Sequence, residues 1–259
     1  MDSELKKKLW QICKDHAVTE KELKAYNGEL VNYNRYPYAP FIPKNWNGIL
    51  VLGISQKISV HNNGDVDYRE SLLNLSDDYL MFRLGNKDVT GKKSDQFLGV
   101  KPWDDGYLKL AMLSCFPESK VNEYGVSNVI PWELNRDNKF QNNFLESKSI
   151  KFWKDVLTVI KPKYVIGIGQ ITGNAFALGY ACKKMKFRYF QLLSPVSLRT
   201  IINLFDENDI YFRYPEVRYA FELNSKLIKR NNPNWRHYVL YAAHAVSKIK
   251  AKTHLPMNE

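Results

Sequence analysis

Gly48-Ile-Leu-Val-Leu-Gly-Ile54 decides the fold. It is short, apolar, rich in branched residues and bounded by glycines. It also lacks the polar alternation of a half-solvated strand, so it predicts a strand buried on both faces, as in a parallel sheet. Two further runs have this character, Val126-Ser-Asn-Val-Ile130 and Tyr164-Val-Ile-Gly-Ile168, and a more polar fourth is Tyr189-Phe-Gln-Leu-Leu193. Helical spacing fills the intervals at 105–115, 150–160 and 173–184. Strands alternating with helices predict an α/β fold, a three-layer α/β/α sandwich around a mostly parallel sheet of about four strands.

Outward from this core the chain turns helical. Leu5, Leu9, Ile12, Cys13 and Leu23 recur at helical spacing among charges and predict one or two surface helices. Beyond Ser194 the pattern is helical at 197–205, 216–229 and 235–250. There is no internal repeat and no low-complexity linker. We therefore expect a single domain over 1–259, with an N-terminal extension (1–45), a core (46–207) and basic C-terminal helices (208–259).

Composition narrows the function classes. With 44% hydrophobic residues and 14% aromatics in 259 residues, the chain has enough apolar mass for a large core, which excludes disorder as its main state. No apolar run reaches the roughly 18 residues a membrane span needs, and the first residues lack the apolar stretch of a signal peptide. A cytoplasmic monomer is the expectation. Cys13, Cys115 and Cys182 are odd in number and far apart, so they suit neither a disulfide framework nor a metal site. The five histidines show no ligand spacing with cysteine or acid except a sparse C-terminal pair, whose expected place is solvent or a helix interface, and neither a metal nor a cofactor is expected.

The formal charge is +11 and unevenly spread. Residues 1–160 hold 22 basic and 21 acidic side chains, whereas residues 161–259 hold 16 and 6. The expected partner of the C-terminal part is a polyanion, DNA in single- or double-stranded form, because cations that neutralise phosphates release counterions.

Ligands of an open parallel sheet bind at the carboxyl ends of the strands. The segments expected there are Gly53-Ile-Ser-Gln56, Asn128 to Arg136, Gly169-Gln-Ile-Thr172 and Ser194-Pro-Val-Ser-Leu-Arg199. Taken in order, with Gln96-Phe-Leu-Gly99, they resemble the motifs of the uracil-DNA glycosylase superfamily over roughly 49–205. Gly53-Ile-Ser-Gln56 is similar to the strand and Gly-x-x-Pro turn that positions the hydrolytic water. Gln96-Phe-Leu-Gly99 is similar to the segment whose aromatic ring stacks on the extruded base. Val126-Ser-Asn-Val-Ile130 resembles the strand whose Asn reads the base edge, and Leu192-Leu-Ser-Pro-Val-Ser-Leu-Arg199 the loop that enters the minor groove.

The resemblance implies a DNA glycosylase in which Phe97 stacks on the flipped base and Asn128 reads its edge. Ser194, Ser197 and Arg199 would hold phosphates, and Leu198 would fill the emptied stack. Plainer roles exist for each: Phe97 as a core aromatic, Asn128 as a partner of backbone groups, Ser194 to Ser197 as a helix N-cap. The departures matter too. The carboxylate of the best-known branch is Ser55 here and the motif proline is Gln56, so the water falls to Ser55 with Gln56, or to Asp65 or Asp67 of a polar loop that is otherwise a solvated turn. The histidine that stabilises the departing uracil anion aligns with Leu192. The four cysteines of the bacterial and archaeal iron-sulfur cluster are absent. These changes, with a long insert between Ser55 and Phe97, point to a modified pyrimidine as target and to defence against foreign DNA. The alternatives are a catalytically inactive DNA-binding module of the same fold and ordinary uracil excision in repair. A dinucleotide reading of Gly167-Ile-Gly169-Gln-Ile-Thr-Gly173 is weak, because its third glycine is one position late and no acidic residue follows at ribose distance.

Overall fold

The computed structural model describes residues 3–25, 37, 39–40, 42–58, 107–120, 123–135, 143–169, 179, 181–193, 206–223 and 235–253. Its elements are α1 (Ser3–Asp15), α2 (Glu20–Ala25), β1 (Ile49–Ile58), α3 (Tyr107–Cys115), β2 (Gly125–Asn135), α4 (Asn143–Ile160), β3 (Tyr164–Ile168), β4 (Arg188–Leu192), α5 (Glu207–Arg213), α6 (Pro215–Leu223) and α7 (Trp235–Thr253). The four strands form one all-parallel sheet in the order β2-β1-β3-β4. The α/β sandwich expected from the sequence is the fold observed. No helix among the described residues is long and apolar enough to cross a membrane.

Alternation of side chains about the sheet splits the core in two. Val126, Val51, Ile166 and Phe190 lie side by side and face one core, closed by α3, α5, α6 and α7. Leu50, Leu52 and Val165 face the other, closed by α1 and α4. Both faces are therefore dry, which explains why these strands are apolar runs rather than alternating ones.

Three expectations change. The strand predicted to stop at Ile130 continues to Asn135. Pro131 has no N–H to give the ladder, and the register slips there: Ser55 is paired with Ile130, but Gln56 with Glu133. The resulting bulge turns Trp132 fully into the core. Helix α1 is more than a surface helix, because its Leu9, Trp10 and Cys13 are buried in the second core. Nor is α7 an appended basic helix. Tyr238, Val239, Tyr241, Ala242, Ala245 and Val246 are buried against the sheet and α3, and Lys250 is ion-paired with Glu216.

The N-terminal helices are held by one polar clasp. Thr19 and Glu22 form a capping box at the start of α2, with the Glu22 N–H donating to Thr19 Oγ1 (3.2 Å) and the Thr19 N–H to Glu22 Oε2 (2.6 Å). Lys148 of α4 donates to both Glu22 oxygens (2.9 and 3.0 Å) and to the Ala17 carbonyl (2.9 Å). Burial works to raise the Glu22 carboxyl, but the bonds from Thr19 and Lys148 outweigh it and hold the group below its ordinary value. The three cysteines are free thiols. Cys13 and Cys182 are buried, and burial pushes the Cys182 thiol up to about 12, as suits a small packing residue.

Lys148→Met should lower stability by about 1–3 kcal/mol in urea unfolding, since it leaves a half-buried carboxylate and a carbonyl without their donor. Because the Glu22 carboxyl is lowered in the fold, its stabilisation is present above the ordinary value of 4.5 and is lost as pH falls. The gap between wild type and Glu22→Gln should accordingly close below that pH; a gap independent of pH would show that Glu22 acts by packing.

Candidate functional site

The register assembles a row of side chains at the carboxyl half of the sheet. Asn128 is laterally paired with Gly53 and Ile168 with Leu192, while the Leu52–Gly167 pairing brings Ile168 beside Gly53. Across β2-β1-β3-β4 the row is thus an amide, a glycine and two aliphatic residues, all on the face covered by α3 and α7. Gly53 adds no side chain to it.

Asn128 is the unusual member. It is 2% exposed, yet its Oδ1 has no hydrogen-bond partner among the described residues. A buried acceptor left unmade costs about 1–3 kcal/mol, so such atoms are rare and call for a reason. The backbone around it is held firmly. Ser149 Oγ and Trp153 Nε1 (2.8 Å), both from α4, donate to the carbonyl of Val129, the next residue. These two supports were not legible in the sequence, because a serine and a tryptophan in an amphipathic helix read as ordinary core.

The other sequence-derived candidates are placed less fully. Ser55 and Gln56 lie within β1 rather than in a turn after it, since β1 runs on to Ile58; only their backbone is described. Asp65, Asp67, Phe97, Ser194, Ser197, Leu198 and Arg199 lie outside the described residues. The structure therefore brings Gly53 and Asn128 together and locates the strand end from which the 194–199 segment departs.

Leu192, where the resemblance aligns a histidine, is fully buried and packs in the first core. A histidine does reach this strand end, but from α7: the Leu193 N–H donates to His244 Nε2 (3.1 Å). Sequence spacing did not reveal His244, whose partner is 51 residues distant. As an acceptor, Nε2 carries no proton, so the neutral ring holds its proton on Nδ1. Burial, with a smaller contribution from the Lys248 charge, keeps the imidazole below its ordinary value and favours that neutral form.

Two glycines here have a steric cause, Gly167 of the dinucleotide-like stretch and Gly179 beyond it. A Cβ at Gly167 would lie 2.4 Å from the Tyr189 hydroxyl and 2.6 Å from Gln191 Oε1, and one at Gly179 would lie 2.9 Å from the Tyr189 ring. Tyr189 and Gln191 occupy that room themselves, with Gln191 Nε2 donating to the Gly169 carbonyl (3.2 Å). A separate cleft of about 490 Å³ is lined wholly by α5 and α6, among them Tyr211, Phe212, Arg218 and Glu222, and includes no sequence-derived candidate.

No protein family and no curated protein matches this chain.

Two outcomes follow. Asn128→Leu replaces an unpartnered buried acceptor by an apolar group of similar size and should leave the melting temperature unchanged or raised; a marked fall would mean that the amide holds the fold together. His244→Gln keeps an acceptor for Leu193 but removes the proton linkage. The His244 contribution is complete above its ordinary value of 6.5 and is lost as pH falls below it, so the wild type should lose stability relative to His244→Gln in that range. Parallel stability curves would show that His244 does not titrate with folding.

Proposed function

We propose that this chain is a DNA glycosylase that hydrolyses the N-glycosidic bond of a flipped-out, modified pyrimidine and leaves an abasic site. The observation that carries the reading is Asn128. Its carbonyl oxygen is buried without a partner beside a residue with no side chain, at the carboxyl half of a parallel sheet, where ligands of such folds bind. A pyrimidine edge bearing an N–H supplies the missing donor. Ser149 and Trp153, by gripping the Val129 carbonyl, fix the amide in advance, so little ordering remains to be done when the base arrives.

In the reaction the bond from C1′ to the base nitrogen breaks, water adds to C1′, and its proton passes to solvent or to the departing base. The water falls to Ser55 and Gln56, or to Asp65 or Asp67, while Phe97 stacks on the base. Ser194, Ser197 and Arg199 hold phosphates, and Leu198 fills the gap in the stack. Leu192 is aliphatic and has no donor for a base anion. Loss of such a donor costs about 10²–10³ in rate, which argues for a target whose leaving group is stabilised otherwise and against uracil. A cytoplasmic monomer acting on modified bases of foreign DNA fits this chemistry.

The test is incubation with duplexes carrying varied modified pyrimidines, followed by alkali to reveal abasic sites. A modified substrate should be cleaved and uracil should not. Asn128→Ala should lower excision at least ~10²-fold, with DNA affinity nearly intact because phosphate contacts dominate binding. Binding without cleavage of any substrate would identify an inactive module, and rapid uracil release would overturn the substrate class.

A further inference from the structure

Between Lys161 and Phe205 the chain holds seven basic residues and no acidic one. Six of the seven gather at one place in the fold. Lys161 and Lys163 stand just before β3; Lys183, Lys184 and Lys186 stand just before β4, and Arg188 begins it. Because β3 and β4 are adjacent and parallel, with Tyr164 paired to Arg188, all six lie at the amino edge of the sheet. The five lysines are exposed. Lys163 and Arg188 lie over the Tyr164 ring at 5.5 and 6.0 Å, and Lys161, Lys183 and Lys186 have no carboxylate partner among the described residues. The β1–β2 half of the same edge differs: there Glu118, Lys120 and Glu123 mix their charges.

Two of these lysines also close helix C-termini. The positive-φ residues other than glycine among those described are Lys161 (φ 48°) and Lys186 (φ 62°). Each ends a helical segment in the left-handed region, where glycine is relaxed and a side chain is strained. The Lys161 N–H donates to Leu157 (2.9 Å), and the Phe187 N–H beyond Lys186 donates to Cys182 (2.8 Å). Helix C-termini favour cations. That preference explains neither Arg188 on the strand nor the absence of any carboxylate over 45 residues.

This edge is opposite the row that contains Asn128. Tyr164 and Ile168 are the two ends of β3, about 13 Å apart at the rise of a strand. Duplex DNA is stiff over about 150 base pairs, so a short duplex seated at one edge cannot turn round the sheet to the other.

We infer that the amino edge of β3 and β4 binds the phosphate backbone of a second DNA segment, so that one chain holds two duplexes at opposite ends of its sheet. This rests on the DNA reading proposed above but not on catalysis. The second contact holds the protein near DNA while the carboxyl edge samples bases, which raises the effective concentration of the next segment.

The experiment uses the full chain and two unmodified 20-base-pair duplexes, one carrying a donor dye and the other an acceptor. Sedimentation gives the number of duplexes per chain. The wild type should bind two and produce energy transfer. A variant with Lys161→Gly, Lys163→Gln, Lys183→Gln and Lys186→Gly should bind one, lose the transfer, and show a salt dependence of total binding shallower by roughly 2–4 in log–log slope. Its two glycines occupy left-handed positions, so it should melt no lower than the wild type, which separates lost binding from lost fold. A control that neutralises Lys6, Lys7, Lys14 and Lys154 should retain two duplexes. A single duplex on the wild type, two on the quadruple variant, or equal loss in the control would overturn the inference. Bridging without base release from any modified substrate would support this surface while removing the glycosylase reading.

Discussion

A sheet whose strands all run parallel must be covered on both faces, and in this chain that requirement recruits the two ends of the sequence. The helix that begins at Ser3 closes one face with α4, and the helix that ends at Thr253 closes the other with α3. Charge is subordinate to this demand. Helix α7 carries Lys248, Lys250 and Lys252 at its end and still inserts a continuous apolar face, because the area buried on the sheet outweighs solvation of cations that can reach water at its rim.

The candidate site follows from the same arrangement. With β2 at the sheet margin, the Val129 carbonyl is reached by two donors from α4, and the strand is pinned one residue beyond Asn128. A pinned strand can tolerate a buried acceptor without a partner, since relaxation toward one would break bonds already made. On the opposite face, Tyr189 and Gln191 take the space left by Gly167, so the two faces of one sheet differ: one is filled by its own side chains, the other carries an unmet acceptor.

Much of this was legible in the residues, for reasons that can be named. Gly48 to Ile54 and Tyr164 to Ile168 are apolar and β-branched over a length that suits a strand, and local pattern suffices for such segments. Pro131 hid the continuation of β2, because a missing donor ends a ladder unless a bulge intervenes, and bulges depend on the partner strand. The burial of α1 and α7 was masked by charges that lie on their solvated faces. Asn128 was legible as a candidate from its place in a motif, whereas its unmet carbonyl is a property of three-dimensional surroundings. His244 was hidden because contact with Leu193 depends on how a helix is laid against a sheet, and nothing local encodes that.

The clasp between Lys148 and the α1–α2 junction has a consequence for biosynthesis. Its partners Ala17 and Lys148 are 131 residues apart, and His16 reaches Asp155 across 139. At a translation rate of about 5–20 residues per second, the first helix emerges on the order of ten seconds before the helix that receives it exists. Through that interval Leu9, Trp10 and Cys13 lack the α4 side chains that complete their core. The second core therefore cannot be completed until α4 has cleared the exit tunnel.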